Sequence, residues 1–167
     1  LDGVAVTGGE PLMHKALPDF LRRVRELGYS IKLDTNGSFP EALEAVINGG
    51  LVDRVAMDIK NSPALYAKTV GLKSFDIEPL MRSIELIMTS GTDYEFRTTV
   101  VKGLHTEESL VEAAEMIKGA KEYYLQQYKD SGNVLKAEGL GSFSDEEMKA
   151  LRDSVAAVLP VVSLRGV

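Results

Sequence analysis

The chain places acids, cations and amides at the ends of short apolar runs. The first run ends in Ala5-Val6-Thr7-Gly8-Gly9-Glu10-Pro11-Leu12. A glycine pair opens backbone angles closed to other residues and lets a ligand approach the main chain. Pro11 stiffens the exit and suits a helix start. Glu10 adds a carboxylate at the same spot, so the segment reads as a floor for a small ligand carrying a positive group. It reads equally as a tight strand-to-helix turn with a solvated acid. Asp34-Thr35-Asn36-Gly37 closes a second run and Asp58 with Lys60 a third; Glu95 and Arg97 lie on a fourth, and Gln126-Gln127 close a fifth. Strand residues two apart share a side. Asp58 with Lys60, and Glu95 with Arg97, therefore face together. Half-buried charges of this kind pair with each other or with a ligand. Internal salt bridges in a structural core are the plainer reading.

The elements that must position these residues alternate. Strands are expected over Gly3–Thr7, Ser30–Asp34, within Leu51–Lys60, over Asp93–Val101 and within Lys121–Tyr128, with Val161–Val167 as a sixth. Helices are expected over His14–Leu27, over Pro40–Asn48, from an Asp76 cap to Gly91, from Thr106 to Gly119, and from a Ser144/Glu147 capping box through Val158. Asn61–Lys73 reads as irregular, with one helical turn near Leu65, and Asp130–Ser142 as a polar, glycine-rich loop. Strand-helix alternation needs crossover connections and hence a parallel sheet, open or closed as a (β/α) barrel. Ligands bind at the C-terminal strand edge of such sheets, which is where the polar residues above fall. His14 and His105 sit beside helix starts and read as loop residues without a role.

Composition narrows the classes. The 167 residues are 44% hydrophobic and 26% charged, with a net charge of -6, which fits one globular domain over 1–167. An acidic chain without a basic run gives no support for a nucleic-acid surface. The apolar runs are too short to span a bilayer, and no charged-then-apolar leader is visible, so the cytoplasm is the expected compartment. The cysteine count is zero, which excludes disulfides and thiolate metal sites within these residues.

In order, TGGEP, DTNG, MDIK, FRTTVV and YYLQQ resemble the radical S-adenosylmethionine (SAM) superfamily, and more narrowly the activating enzymes of glycyl-radical enzymes. YEFRTTVVKGLHTEE and the terminal LRGV are similar to the activating proteins of anaerobic ribonucleoside-triphosphate reductases. The resemblance covers essentially the whole chain. It implies a partial (β/α)6 barrel with a parallel open sheet. It also implies that Gly8, Gly9 and Glu10 receive the amino group of SAM and that Asp34 lies near its methionine end. Lys60 and Arg97 would face its carboxylate, and Gln127 or Gln126 would touch the ribose or adenine. Asp34, Thr35 and Asp58 are candidates for a monovalent cation. Each has a plainer reading: a Thr35-Asn36-Gly37 turn, a solvated Lys60, a Glu95–Arg97 pair, a buried Gln127 amide.

The family holds a [4Fe-4S] cluster on three cysteines spaced CxxxCxxC, and clusters of this type need thiolates. The sequence is therefore expected to be a fragment lacking the first βα unit and the cluster loop, with no catalytic residue of its own. In the full-length parent the resemblance implies reductive cleavage of SAM, with a flavodoxin or ferredoxin as electron donor. A hydrogen atom is then removed from a glycine of a partner enzyme, an anaerobic ribonucleotide reductase. Two alternatives stay open: a cluster-free SAM-, nucleotide- or partner-binding module, and a relative of 7-carboxy-7-deazaguanine synthase.

Overall fold

The computed structural model describes residues 2–129 and 138–167. Positions 130–137 of the expected Asp130–Ser142 loop lie outside the described residues. The elements in chain order are β1 (Gly3–Val6), α1 (Leu17–Glu26), β2 (Ser30–Thr35), α2 (Pro40–Asn48), β3 (Arg54–Asp58), α3 (Pro63–Thr69), α4 (Glu78–Thr89), β4 (Asp93–Val100), α5 (Glu107–Met116), β5 (Tyr123–Gln127), α6 (Asp145–Ala156) and β6 (Val162–Arg165). The six strands form one open parallel sheet in the order β1-β2-β3-β4-β5-β6. The expected partial barrel is what the chain adopts. The chain divides into two compact units, Leu1–Asp58 with Asp76–Glu95, and Ile59–Phe75 with Phe96–Val167.

In the first unit, Val4 pairs with Ile31 and Leu33 with Val55 in parallel register. Along β2 the side chains alternate: Ile31, Leu33 and Thr35 are buried, while Lys32 and Asp34 are half-buried. Strand geometry sends these two sets to opposite faces. Three helices supply the apolar partners, through Leu17, Leu21 and Val24 of α1, Leu43, Val46 and Ile47 of α2, and Leu80, Ile84 and Ile87 of α4. Helix α1 begins at Leu17 rather than at His14. Pro18 lies in its first turn, where a missing N–H costs nothing. The residues before it form a separate 3-10 turn, Pro11–Met13, with Glu10 as N-cap.

In the second unit, Thr98 pairs with Leu125 and Leu125 with Leu164. The Tyr123 hydroxyl lies 2.7 Å from the Thr98 hydroxyl. Its complete burial pushes the phenol above its ordinary range, so it stays protonated. Both expected helix starts are capped: Thr106 with Ser109 on α5, and Ser144 with Glu147 on α6. Helix α3 corrects the expectation of an irregular Asn61–Lys73. It has only 7 residues, too few to show an apolar period, and the Ser62-Pro63 start was its one legible sign.

Candidate functional site

In the first unit the polar groups gather around Glu10. Gly8 and Gly9 are exposed. Gly8 takes φ +121°, and a Cβ on either glycine would meet nothing within 4 Å. Their main chain is therefore open to a ligand. Glu10 itself is buried. Its Oε1 accepts hydrogen bonds from Leu12 N at 3.1 Å and from the Thr35 hydroxyl at 2.9 Å, and its Oε2 accepts one from Asn36 N at 2.7 Å. An ionised carboxylate has about four acceptor directions, so these three bonds fix it and leave room for one more donor. Thr35 Oγ1 in turn accepts from Gly37 N at 3.1 Å, and Asn36 Oδ1 accepts from Ser38 N at 2.9 Å. The GGEP and DTNG segments, about 25 residues apart in sequence, thus form one turn-on-turn assembly. Gly37 sits at φ +76°, and any Cβ there would collide with Met57 and approach Leu80.

Asp34 and Asp58 are half-buried at the ends of β2 and β3. Lys32 Nζ lies 3.4 Å from Asp34 Oδ1 and 3.2 Å from Glu95 Oε1, and Arg54 bridges Glu95 at 3.2 Å and Asp93 at 2.7 Å. Glu95 therefore meets Lys32 and Arg54, a cross-strand network that same-strand spacing alone did not show. Cross-strand placement explains it, since Lys32 is the register partner of Arg54 and neighbouring strands bring same-face side chains into contact. Thr35 and Asp34 are adjacent on β2 and so point to opposite faces. The Thr35 hydroxyl belongs to the Glu10 turn, and the structure does not bring it to the Asp34 carboxylate.

In the second unit Lys60 lies two residues past the end of β3, Arg97 lies half-buried on β4, and Gln127 ends β5. The Arg97 carbonyl accepts from Ile59 N at 2.8 Å. Gln127 Nε2 donates to the Phe143 carbonyl at 3.0 Å and to Asp145 Oδ1 at 3.1 Å, so its amide nitrogen ties down the start of α6. Two residues that sequence reasoning passed over shape this region. His105 is only 5% exposed. Val101 N donates to its Nδ1 at 3.0 Å, and its Nε2 lies 2.8 Å from the Lys60 carbonyl. Tyr66 is buried, and its hydroxyl accepts from Lys60 N at 3.3 Å. A histidine between a strand and a capping box was the available signal; Tyr66 had none once α3 was missed.

The donor set decides which cofactors these residues can hold. The chain has no cysteine, and the described residues contain no cluster of three or more His, Asp or Glu suited to a metal ion. These residues do not fit an iron-sulfur cluster. Within the first unit, an open Gly8-Gly9 main chain stands beside a fixed Glu10 carboxylate with one acceptor direction left, a donor set suited to a small cationic group. No helix among the described residues is long and apolar enough to cross a membrane.

The likeness to known proteins follows the same lines. A protein of Methanocaldococcus jannaschii named as a glycyl-radical enzyme activating enzyme is 32% identical over 131 residues, covering 76% of this chain and 55% of that protein. The 7-carboxy-7-deazaguanine synthase of Thermococcus kodakarensis is 25% identical over 154 residues, 84% of this chain and 59% of the synthase. The chain thus spans little more than half the length of these relatives. Among solved structures, a domain of the pyruvate-formate lyase-activating enzyme from Bacteroides vulgatus superposes with a TM-score of 0.78 over 98% of this chain and 99% of that one, at 19% identity. Streptococcus suis SuiB bound to S-adenosylmethionine gives a TM-score of 0.72 over 98% of this chain and 39% of that one, at 14% identity. The family model described as the radical SAM superfamily matches residues 1–117. Strand order, the glycine-rich end of β1 and this match agree: the chain belongs to the radical SAM superfamily.

Proposed function

We propose that the chain is the SAM-holding part of an activating enzyme that generates a glycyl radical on a partner anaerobic ribonucleotide reductase. The observation that carries the reading is the Glu10 assembly. A buried carboxylate, fixed by Leu12, Thr35 and Asn36, stands beside an exposed Gly8-Gly9 main chain. This is an arrangement suited to an ammonium group. In the second unit the family resemblance assigns Lys60 and Arg97 to the SAM carboxylate and Gln127 to the nucleoside. A monovalent cation would draw on Asp34 and Asp58, because the Thr35 hydroxyl is engaged in the turn. No residue of this chain binds the cluster, and no step of radical formation is assigned to these residues. The electron donor of the whole enzyme, on this reading, is a flavodoxin or ferredoxin.

Anaerobic reconstitution tests the proposal. With iron and sulfide, the 167-residue chain should give no three-cysteine cluster and no 5'-deoxyadenosine. The full-length source protein should give both, and a glycyl-radical signal on the cognate reductase. Formation of 5'-deoxyadenosine by the 167-residue chain alone would refute the assignment. The second reading, a deazaguanine-type synthase, is favoured by the likeness to the Thermococcus kodakarensis protein over 84% of this chain. It predicts 5'-deoxyadenosine formation that needs no partner reductase.

A further inference from the structure

The Lys60 peptide is held on both sides by side chains of its own unit. Tyr66 Oη takes its N–H at 3.3 Å, and His105 Nε2 faces its carbonyl at 2.8 Å. One residue on, Asn61 Nδ2 donates to the Leu104 carbonyl at 3.0 Å and to Thr69 Oγ1 at 2.9 Å, and Asn61 Oδ1 accepts from Ser62 N at 2.8 Å. Two consecutive residues after β3 are thus tied to two consecutive residues, Leu104 and His105, after β4. Asn61 is fully buried and His105 nearly so. Side chains thus satisfy both backbone groups of Lys60, whereas about two-thirds of protein hydrogen bonds join main chain to main chain.

The tautomer of His105 follows from its partners. A carbonyl can only accept, so Nε2 carries the hydrogen toward Lys60 O. Nδ1 is then the acceptor for the Val101 N–H. Only the neutral Nε2–H imidazole satisfies both. Burial favours that form, holding the imidazole below its ordinary pKa against the opposing pull of the Lys60 and Val101 backbone.

We propose that His105 is a positioning residue for SAM binding: through Nε2–H it fixes the main chain from which Lys60 presents its ammonium to the SAM carboxylate. The inference rests on the reading of Lys60 given above. Fixed placement of a charged group is what makes a lysine a selective contact.

SAM affinity of the anaerobically loaded full-length protein, measured by equilibrium dialysis, tests it. Lys60→Met should weaken binding. His105→Asn keeps an amide near the Nδ1 position but cannot reach Lys60 O, and should weaken binding about tenfold, whereas His105→Gln, whose amide reaches the Nε2 position, should stay within about twofold. In the Lys60→Met background the difference between the Asn and Gln variants should vanish. His105→Phe, which fills the ring volume without an N–H, replaces the Asn variant if that one does not fold. If Lys60→Met leaves affinity unchanged, the Lys60 reading fails. If Lys60→Met weakens binding while the Asn, Phe and Gln variants match the parent, or if their loss persists in the Lys60→Met background, His105 acts only on the fold and the inference is overturned.

Discussion

The two units solve opposite problems with the same means. Around Glu10 the side chain is immobilised: three donors grip the carboxylate, and the main chain of Gly8 and Gly9 is left open. Around Lys60 the main chain is immobilised by Tyr66 and His105. The first arrangement makes a rigid carboxylate and a free backbone; the second makes a rigid backbone that carries a cation. A short acid suits the former, because few rotamers separate it from the turn it caps. A long lysine cannot be held along its stem without losing about 2 kcal/mol of side-chain entropy, so its root is fixed instead.

This contrast makes ordered predictions for stability, each read as the free energy of unfolding in urea. Gly37→Ala should cost most, about 3 kcal/mol or more, because it combines a left-handed backbone angle with a collision against Met57. A cost below about 1 kcal/mol would mean that the turn relaxes and that Glu10 is not rigidly held. Glu10→Ala strands the Leu12, Asn36 and Thr35 donors and should cost about 2–4 kcal/mol. Thr35→Val removes the hydroxyl that links Glu10 to Gly37 N and should cost about 1–2 kcal/mol. If Thr35→Val costs as much as Glu10→Ala, the hydroxyl and not the carboxylate is the centre of the assembly.

The smallest effect separates the second region by pH. Burial lowers the His105 pKa from 6.5 in the folded chain, so the unfolded chain binds the proton more readily. The stability tied to neutral His105 is therefore complete above 6.5 and declines as the pH falls from there toward the lowered folded-state value. Urea midpoints measured across that window should slope downward with acid, and His105→Gln should remove that share of the slope. An unchanged slope in the variant would show that His105 is not a buried neutral brace.

Much of this was legible in the sequence, and the failures have physical causes. The alternation of elements and the parallel sheet followed from period and from glycine and proline punctuation, and Pro40–Asn48 formed as expected. The GGEP and DTNG segments were recognisable as polar strand ends. Their mutual hydrogen bonds were not, because a contact across about 25 residues leaves no local period. Spacing put Glu95 and Arg97 on one face of their strand, but only register shows that Lys32 and Arg54 also reach Glu95. His105 was passed over because histidine in a loop carries no signal of burial until the strands beneath it are in place.

The central claim is that these residues hold the methionine end of SAM, and Lys60 tests it most directly, since its side chain can be removed while the braces on its main chain remain. Titration calorimetry of SAM into the anaerobically loaded full-length protein should show Lys60→Ala weakened by about 1–3 kcal/mol, the worth of one charge-assisted hydrogen bond. Equal affinity in the variant and the parent would contradict the account.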